Sequence, residues 1–234
     1  MDNVFIFHHL GLGDHILCNA IVRTYCEQYK KVFLFVKPEN HKNVAYMYRD
    51  LTNLKLIVMA DPEIKQFISI NPNNNYKIIG ITKPFFDKYN AGDYGSFDRG
   101  FYAVAGVPFE DRCGKFYFQR DLEKEKDAYY NVFGLKDGEE YAVIHDDPPR
   151  GRVFKEKYIP QGIKLIHPIE FKEVGIFDFI YTLENAKEVH VMNSSFSCLI
   201  DTMLLQTKAL FLHEYARINM GNHEFMLKWN FLKD

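Results

Sequence analysis

The chain has 234 residues, with 29 basic and 31 acidic side chains and a formal net charge of −2. This length is enough for one large domain or for two small ones with buried cores, and the balanced charge excludes the overall basic footprint of a nucleic-acid-binding protein. The 47% hydrophobic and 16% aromatic content excludes an intrinsically disordered chain.

The N-terminal segment and the cysteines give an expectation about location. No apolar run reaches the roughly 20 residues that span a bilayer. Asp2, with no basic region, precedes the first apolar stretch, so we predict neither a membrane span nor a signal peptide. Cys18, Cys26, Cys113 and Cys198 form no Cys-x-x-Cys pair, which indicates reduced thiols rather than a zinc ribbon or a disulfide framework. We therefore expect a cytoplasmic protein.

The first half of the chain alternates strands and helices. Apolar segments predict strands at 4–7, 31–36, 54–59 and 76–81, and helical periodicity predicts helices at 15–29, 41–50 and 62–69. This alternation is typical of a Rossmann-like parallel sheet. The segment 83–114 differs, because it is rich in aromatics, glycine and aspartate, and a short helix is predicted only around 97–102.

A second alternating series follows a helix predicted at 122–133 and a polar turn at 134–140. Strands are predicted at 141–145, 164–166, 188–192 and 209–212, with helices at 176–185 and 195–205. We place the domain boundary near residue 120, which gives two Rossmann-like domains at 1–120 and 121–234. The predicted fold class is therefore α/β.

The turn after the first strand carries the first candidate site. Gly11 and Gly13 permit positive φ and a close backbone approach, and the following helix offers free amides and the positive end of its dipole to an anion. The dinucleotide fingerprint needs a third glycine where Ile16 stands, so a nicotinamide cofactor is disfavoured. No phosphate-loop motif is present either.

Asp14 has two interpretations. It stands near the expected N-cap of the helix and could simply cap it. Alternatively, its carboxylate faces the crevice at the carboxyl edge of a parallel sheet, where it could accept a proton from an attacking hydroxyl, with His15 or His9 sharing that role. A metal site at His8, His9 and His15 is disfavoured, because adjacent side chains at a strand end point in opposite directions.

The second half offers a turn rich in arginine. His145 ends the strand at 141–145, and Asp147, Arg150 and Arg152 follow it, so these side chains should lie at the carboxyl edge of the second sheet. Two arginines suit a pyrophosphate, which they can hold through paired hydrogen bonds. The alternative is a solvated basic turn that pairs with a nearby aspartate.

A second anion cradle is predicted where the strand at 188–192 ends. Asn193, Ser194 and Ser195 open an apolar helix and offer hydroxyls and free amides, although the serines could serve only as caps. His167 and Glu170 follow the strand at 164–166, where a glutamate can accept ribose hydroxyls. The segment 213–217, after the last predicted strand, adds a tyrosine and Arg217 to the same edge.

The Gly-Leu-Gly-Asp turn at 11–14, the aromatic and arginine-bearing middle and the Asn-Ser-Ser helix start at 193–195 resemble the GT-B glycosyltransferases. The resemblance is to the heptosyltransferase-like enzymes and to related bacterial, phage and viral sugar transferases. It implies a compact version of two Rossmann-like domains facing a central cleft. The first domain would hold the acceptor, and the second would hold the nucleotide-sugar donor.

Carried over to this chain, the resemblance implies Asp14 as the base, with His15 beside it, and Gly11 and Gly13 as the backbone that approaches the substrate. Residues that would bind the donor follow from the same comparison: Ser194 and Ser195 for its phosphate, and Arg150 and Arg152 for the leaving diphosphate. His145, Asp147, His167, Glu170 and Asn193 complete the predicted donor site.

The predicted reaction is inverting, metal-independent glycosyl transfer from a nucleotide sugar to a glycan or another hydroxyl acceptor. We expect no cofactor beyond this co-substrate. We also expect no nucleic-acid partner and no membrane span. The chain is compatible with an oligomer. The alternatives are a nucleotide-sugar epimerase and a non-catalytic module that binds a nucleotide or sugar phosphate. A dehydrogenase dependent on NAD is the least favoured class.

Overall fold

The computed structural model describes residues 2–217 and 223–233. The described chain forms two compact units, 2–119 with 223–224 and 120–217 with 225–233. The division thus lies between Gln119 and Arg120, and His223 and Glu224 group with the first unit, which the sequence did not predict. Residues 218–222 and 234 of the predicted second domain lie outside the described residues.

The first unit is built on a parallel sheet. Its strands are β1 (Asn3–Phe7), β2 (Lys31–Val36), β3 (Leu54–Val58) and β4 (Tyr76–Ile78), in the spatial order β3-β2-β1-β4. The chain moves from β1 outward to β2 and β3 and then returns to the other side of β1. The strand order therefore reverses between β1 and β4, and in sheets of this kind the crevice beyond the carboxyl ends of those two strands binds ligands.

The helix predicted at 15–29 is wrong in its bounds. The structure has α1 (Leu12–Leu17) and α2 (Asn19–Gln28), separated at Cys18. Gly11 is the extended residue before α1, so Asp14 lies inside the first turn and is not the N-cap. Helices α3 (His41–Met47) and α4 (Asp61–Ile70) follow β2 and β3 as crossovers.

The aromatic segment is more helical than predicted. It contains α5 (Lys83–Ala91), α6 (Phe97–Ala105) and the short α7 (Asp111–Gly114). Oγ1 of Thr82 and Oγ of Ser96 accept hydrogen bonds from first-turn amides of α5 and α6, as N-caps do. Gly92 and Gly106 end these helices with φ of +85° and +66°, a conformation that favours glycine.

The second unit has its own parallel sheet. The strands are β5 (Tyr141–His145), β6 (Lys164–Ile166), β7 (Glu188–Val191), β8 (Leu210–His213) and β9 (Asn230–Leu232), in the order β6-β5-β7-β8-β9. The sequence did not predict β9. The order reverses between β5 and β7, which makes their carboxyl ends the expected ligand site of this unit.

Short helices cover the second sheet. Helix α8 (Leu122–Asp127) continues into a π-helical turn at Ala128–Val132, α9 (Ile180–Asn185) follows a 3-10 turn at Ile176–Phe179, and α10 is Ser195–Thr202. In the part of the chain that the structure describes, no helix has both the length and the apolar character needed to cross a bilayer.

Candidate active site

The loop after β1 is held in place by the loop after β2. Nδ2 of Asn40 donates a hydrogen bond of 2.7 Å to the carbonyl oxygen of Leu10. Leu10 is buried, whereas Gly11 is exposed. Asn40 was not predicted as a site residue, because it lies in a 3-10 turn and its contact joins two segments that are 30 residues apart.

Asp14 packs over this loop. A Cβ atom on Gly11 would lie 2.6 Å from Oδ2 of Asp14, so any side chain at position 11 would displace the carboxylate. The expectation of positive φ at the two glycines is wrong, because Gly11 has a φ of −68° and Gly13 lies within α1. Gly11 is thus required for close approach. Asp14 is half-buried in the first turn of α1, where the helix dipole favours a negative charge.

His15 lies in the interior of the first unit. It is 0% exposed, and its ring centroid is 4.5 Å from that of His8, which is also fully buried. Burial lowers the pKa of His8 to about 4 and that of His15 well below its usual range. The structure thus separates the two residues that the sequence paired, since Asp14 reaches the surface and His15 does not.

In the second unit, the end of β5 contacts the start of α10 at the strand reversal. Oγ of Ser194 lies 3.1 Å from Nδ1 of His145, and the amide of Ser194 donates to Oγ of Ser197 at 2.9 Å. The Ser194 hydroxyl therefore contacts the end of β5, while the Ser197 hydroxyl bonds the N-cap backbone. The first amides of α10, including that of Ser195, have no acceptor within the helix and can bind an anion.

Arg217 adds a positive charge at this strand reversal. Its Nη1 donates a hydrogen bond of 2.7 Å to the carbonyl oxygen of Asn193. The pKa of His145 is lowered to about 4, mainly by burial and also by Arg217, while Asp147 acts in the opposite direction. His145 is consequently neutral at pH 7, and the carboxyl ends of β5, β7 and β8 all contribute to one site.

The arginine turn pairs with its own aspartate. Backbone hydrogen bonds of 2.8 and 3.0 Å join Asp147 and Arg152, and Gly151, with φ of +69°, closes the turn. Oδ2 of Asp147 lies 2.8 Å from Nη1 of Arg150 and 3.7 Å from Nη1 of Arg152. Both guanidinium groups share one carboxylate, so the turn carries a net single positive charge.

His167 and Glu170 lie at the carboxyl end of β6. Burial raises the pKa of Asp146, and the charge of His167 acts in the opposite direction, so these two side chains are neighbours. Glu170 is exposed at the end of the 3-10 turn Pro168–Glu170. Within residues 2–217 and 223–233, no group of three histidine, cysteine, aspartate or glutamate side chains is arranged to hold a metal ion.

Two units with one parallel sheet each are an α/β arrangement similar to the fold of the GT-B sugar transferases. No protein-family model matches the chain, and no curated protein is similar to it in sequence. Among solved structures, the ADP-heptose LPS heptosyltransferase II of E. coli matches with a TM-score of 0.53 at 11% identity, over 91% of this chain and 84% of that one. The family 9 glycosyl transferase of Veillonella parvula matches with a TM-score of 0.50 at 8% identity, over 90% and 79%. The chain therefore has this α/β fold.

Proposed function

We propose that the protein is a glycosyltransferase that moves a sugar from a nucleotide-sugar donor to a hydroxyl acceptor, with inversion and without a metal ion. One observation carries the proposal. In a fold shared with sugar transferases, Ser194, Ser195 and Arg217 surround a helix N-terminus at the strand reversal of the second unit. Phosphate groups bind well at such a position.

The diphosphate of the donor is assigned to the start of α10. The free amides and the guanidinium of Arg217 would stabilise the negative charge that develops on the leaving group. Arg152 and Arg150 would add charge when phosphate oxygens compete with Asp147 for their guanidinium groups. These cations and the helix dipole take the part that a metal ion plays in other transferases, in line with the absence of an Asp-x-Asp motif from the sequence.

The base is assigned to Asp14. Its carboxylate would accept the proton of the acceptor hydroxyl while the oxygen attacks the anomeric carbon and the bond from that carbon to the diphosphate breaks. One carbon–oxygen bond forms as another breaks, and the electron pair leaves with the nucleoside diphosphate. Asp14 is preferred to His15, because a fully buried imidazole is out of reach of an acceptor. The reaction is proposed to occur in the cytoplasm, which fits the four free thiols.

A thermal-shift screen against UDP, GDP, ADP, CMP and NAD tests the donor assignment. A ligand at 100 times its Kd stabilises the native state by about 2.7 kcal/mol, which is a measurable rise in Tm. We expect one nucleoside diphosphate to raise the Tm and Arg217→Gln to reduce that rise. Lys187→Gln is the matched control, because Lys187 precedes β7 at the opposite edge of the same sheet.

A rise with NAD alone, or with none of the five compounds, would contradict the proposal. Turnover separates the remaining classes. A transferase releases the nucleoside diphosphate faster when an acceptor is present, whereas an epimerase converts the donor without an acceptor. A non-catalytic binding module would show the thermal shift with no turnover.

A further inference from the structure

A network of hydrogen bonds joins β7 and β8 of the second unit to the segment that follows the arginine turn. Oε2 of Glu188 lies 3.1 Å from Nε2 of His190, and Nδ1 of His190 lies 3.0 Å from Nε2 of His213. Nδ1 of His213 lies 2.9 Å from the hydroxyl of Tyr215. That hydroxyl also accepts a hydrogen bond of 2.8 Å from the amide of Lys155. We call these five groups the polar network.

The carboxylate at one end fixes the direction of the hydrogen bonds in the polar network. Burial lowers the pKa of His213 to about 3 and also lowers that of His190, so both rings are neutral at pH 7. A carboxylate only accepts, so His190 carries its proton on Nε2, towards Glu188, and its Nδ1 accepts from Nε2 of His213. Nδ1 of His213 is then an acceptor, and the hydroxyl of Tyr215 donates to it. The hydroxyl therefore has one donor and one acceptor role, and both are filled.

The hydroxyl of Tyr215 fastens its own segment to the core of the second unit. Phe154 is buried in an apolar cluster, and its ring stacks on that of His213 with centroids 3.7 Å apart. Lys155 is the next residue, so the bond from its amide ties the 3-10 turn Glu214–Ala216 to a segment that packing already holds.

Arg217 follows this turn directly. Its Nη1 donates a hydrogen bond of 2.7 Å to the carbonyl oxygen of Asn193, and its charge adds to the burial that lowers the pKa of His145. Both contacts lie at the strand reversal. A side chain that is already held in place loses less conformational entropy when it binds an anion. The contacts of Tyr215, two residues earlier, therefore affect how tightly Arg217 can hold a phosphate.

We propose that Tyr215 is a positioning residue for the donor diphosphate: its hydroxyl, bonded to Lys155 and His213, holds the turn before Arg217 and so keeps that guanidinium at the start of α10. Tyr215 acts through Arg217 and makes no contact with the donor itself. This inference rests on the proposed function, because it assigns Tyr215 a role in the donor site of that transferase.

Calorimetric titration of the full chain with UDP, GDP and ADP tests the inference. Tyr215→Phe keeps the half-buried ring and removes only the hydroxyl. Its matched control is Tyr158→Phe, because Tyr158 is also half-buried and its ring centroid lies 6.0 Å from that of Tyr215. The hydroxyl of Tyr158 donates instead to the carbonyl oxygen of Lys233. Arg217→Gln and the double variant Tyr215→Phe with Arg217→Gln complete the set, and the Tm of each variant is recorded.

We expect Tyr215→Phe to raise the Kd of the nucleoside diphosphate that binds by about three- to tenfold, and Tyr158→Phe to leave it within about twofold. In the Arg217→Gln background, Tyr215→Phe should change the Kd by less than about twofold, since the hydroxyl acts through the guanidinium. The amide of Lys155 should exchange its hydrogen faster in Tyr215→Phe, which NMR measures without any ligand.

A hydroxyl with a merely structural role would lower the Tm of Tyr215→Phe and leave the Kd unchanged. That result, an equal rise in Tyr158→Phe, or an equal rise with and without Arg217 would overturn the inference and leave the donor assignment standing. Unchanged exchange of the Lys155 amide would overturn it as well. Binding of none of the three nucleotides by the unmodified protein would instead refute the proposed function, and the inference with it.

Discussion

Replacing Asp14 by asparagine isolates the proton-accepting role of its carboxylate. Asparagine has the same shape, so it can occupy the half-buried position above Gly11, where a Cβ would lie 2.6 Å from Oδ2. The substitution removes the negative charge and the basic oxygen together. It leaves the second unit, to which the donor is assigned, unchanged.

The expected loss follows from the role assigned to the carboxylate. A positioned general base contributes about 10²- to 10⁴-fold to the rate, which at 1.36 kcal/mol per tenfold change is about 3–5 kcal/mol of the barrier. The loss in folding stability is smaller, because a charge in the first turn of a helix contributes about 0.3–1 kcal/mol. Asp14→Asn should therefore fold, bind the donor and fail to transfer the sugar.

Release of nucleoside diphosphate in the presence of acceptor measures transfer, and calorimetry measures donor binding. The matched control is Asp61→Asn, because Asp61 also lies in the first turn of a helix, α4, with its carboxylate 2.9 Å from Lys37. That variant should keep its turnover within about twofold. Full turnover in Asp14→Asn would show that the base is elsewhere, and loss of donor binding would show that Asp14 serves binding rather than proton transfer.

Three further predictions concern other groups. Arg150→Ala should weaken donor binding only about two- to fivefold by calorimetry, because this guanidinium is 73% exposed and already paired with Asp147; a loss above 100-fold would contradict the shared-charge arrangement. Asp201→Asn should lower the free energy of unfolding in urea by about 2–4 kcal/mol, since the buried carboxylate accepts two backbone amides and Nε1 of Trp229 at 2.9–3.1 Å; a change below 1 kcal/mol would contradict this. The pKa of His8 is about 4 in the folded protein against 6.5 ordinarily, so the unfolded chain binds more protons in that window and stability should fall by about 3 kcal/mol as pH drops from 6.5 to 4. Urea titrations at each pH give the free energy of unfolding, which should depend less steeply on pH in His8→Gln than in the unmodified protein. An unchanged pH dependence would refute the assignment to His8.

The fold class was readable from the sequence because its signals are local. The strands predicted at 31–36, 141–145 and 164–166 coincide with β2, β5 and β6 residue for residue, since runs of β-branched and aromatic side chains suit buried parallel strands. The resemblance to the GT-B sugar transferases, drawn from three short motifs, is confirmed at the level of the fold by the solved structures.

The bounds of the helices and the solvent exposure of individual side chains were harder to predict from the sequence. The helices α1 and α2 on either side of Cys18 both keep helical periodicity, so the pattern alone does not reveal the break between them. His15 and Asp14 are adjacent in the sequence, and their different exposure depends on which face of α1 packs against His8. The strand β9 has three residues, and its existence depends on pairing with β8, about 20 positions earlier in the chain.

The sequence by itself determined the alternation of strands and helices and the residues that end each strand, because periodicity and turn chemistry act over a few neighbours. Only the tertiary structure decided which of those residues meet. It brought Arg217 to Asn193 and paired Arg150 and Arg152 with one aspartate. Those contacts join segments distant in the chain, and their energies depend on burial and charge pairing that no local pattern encodes.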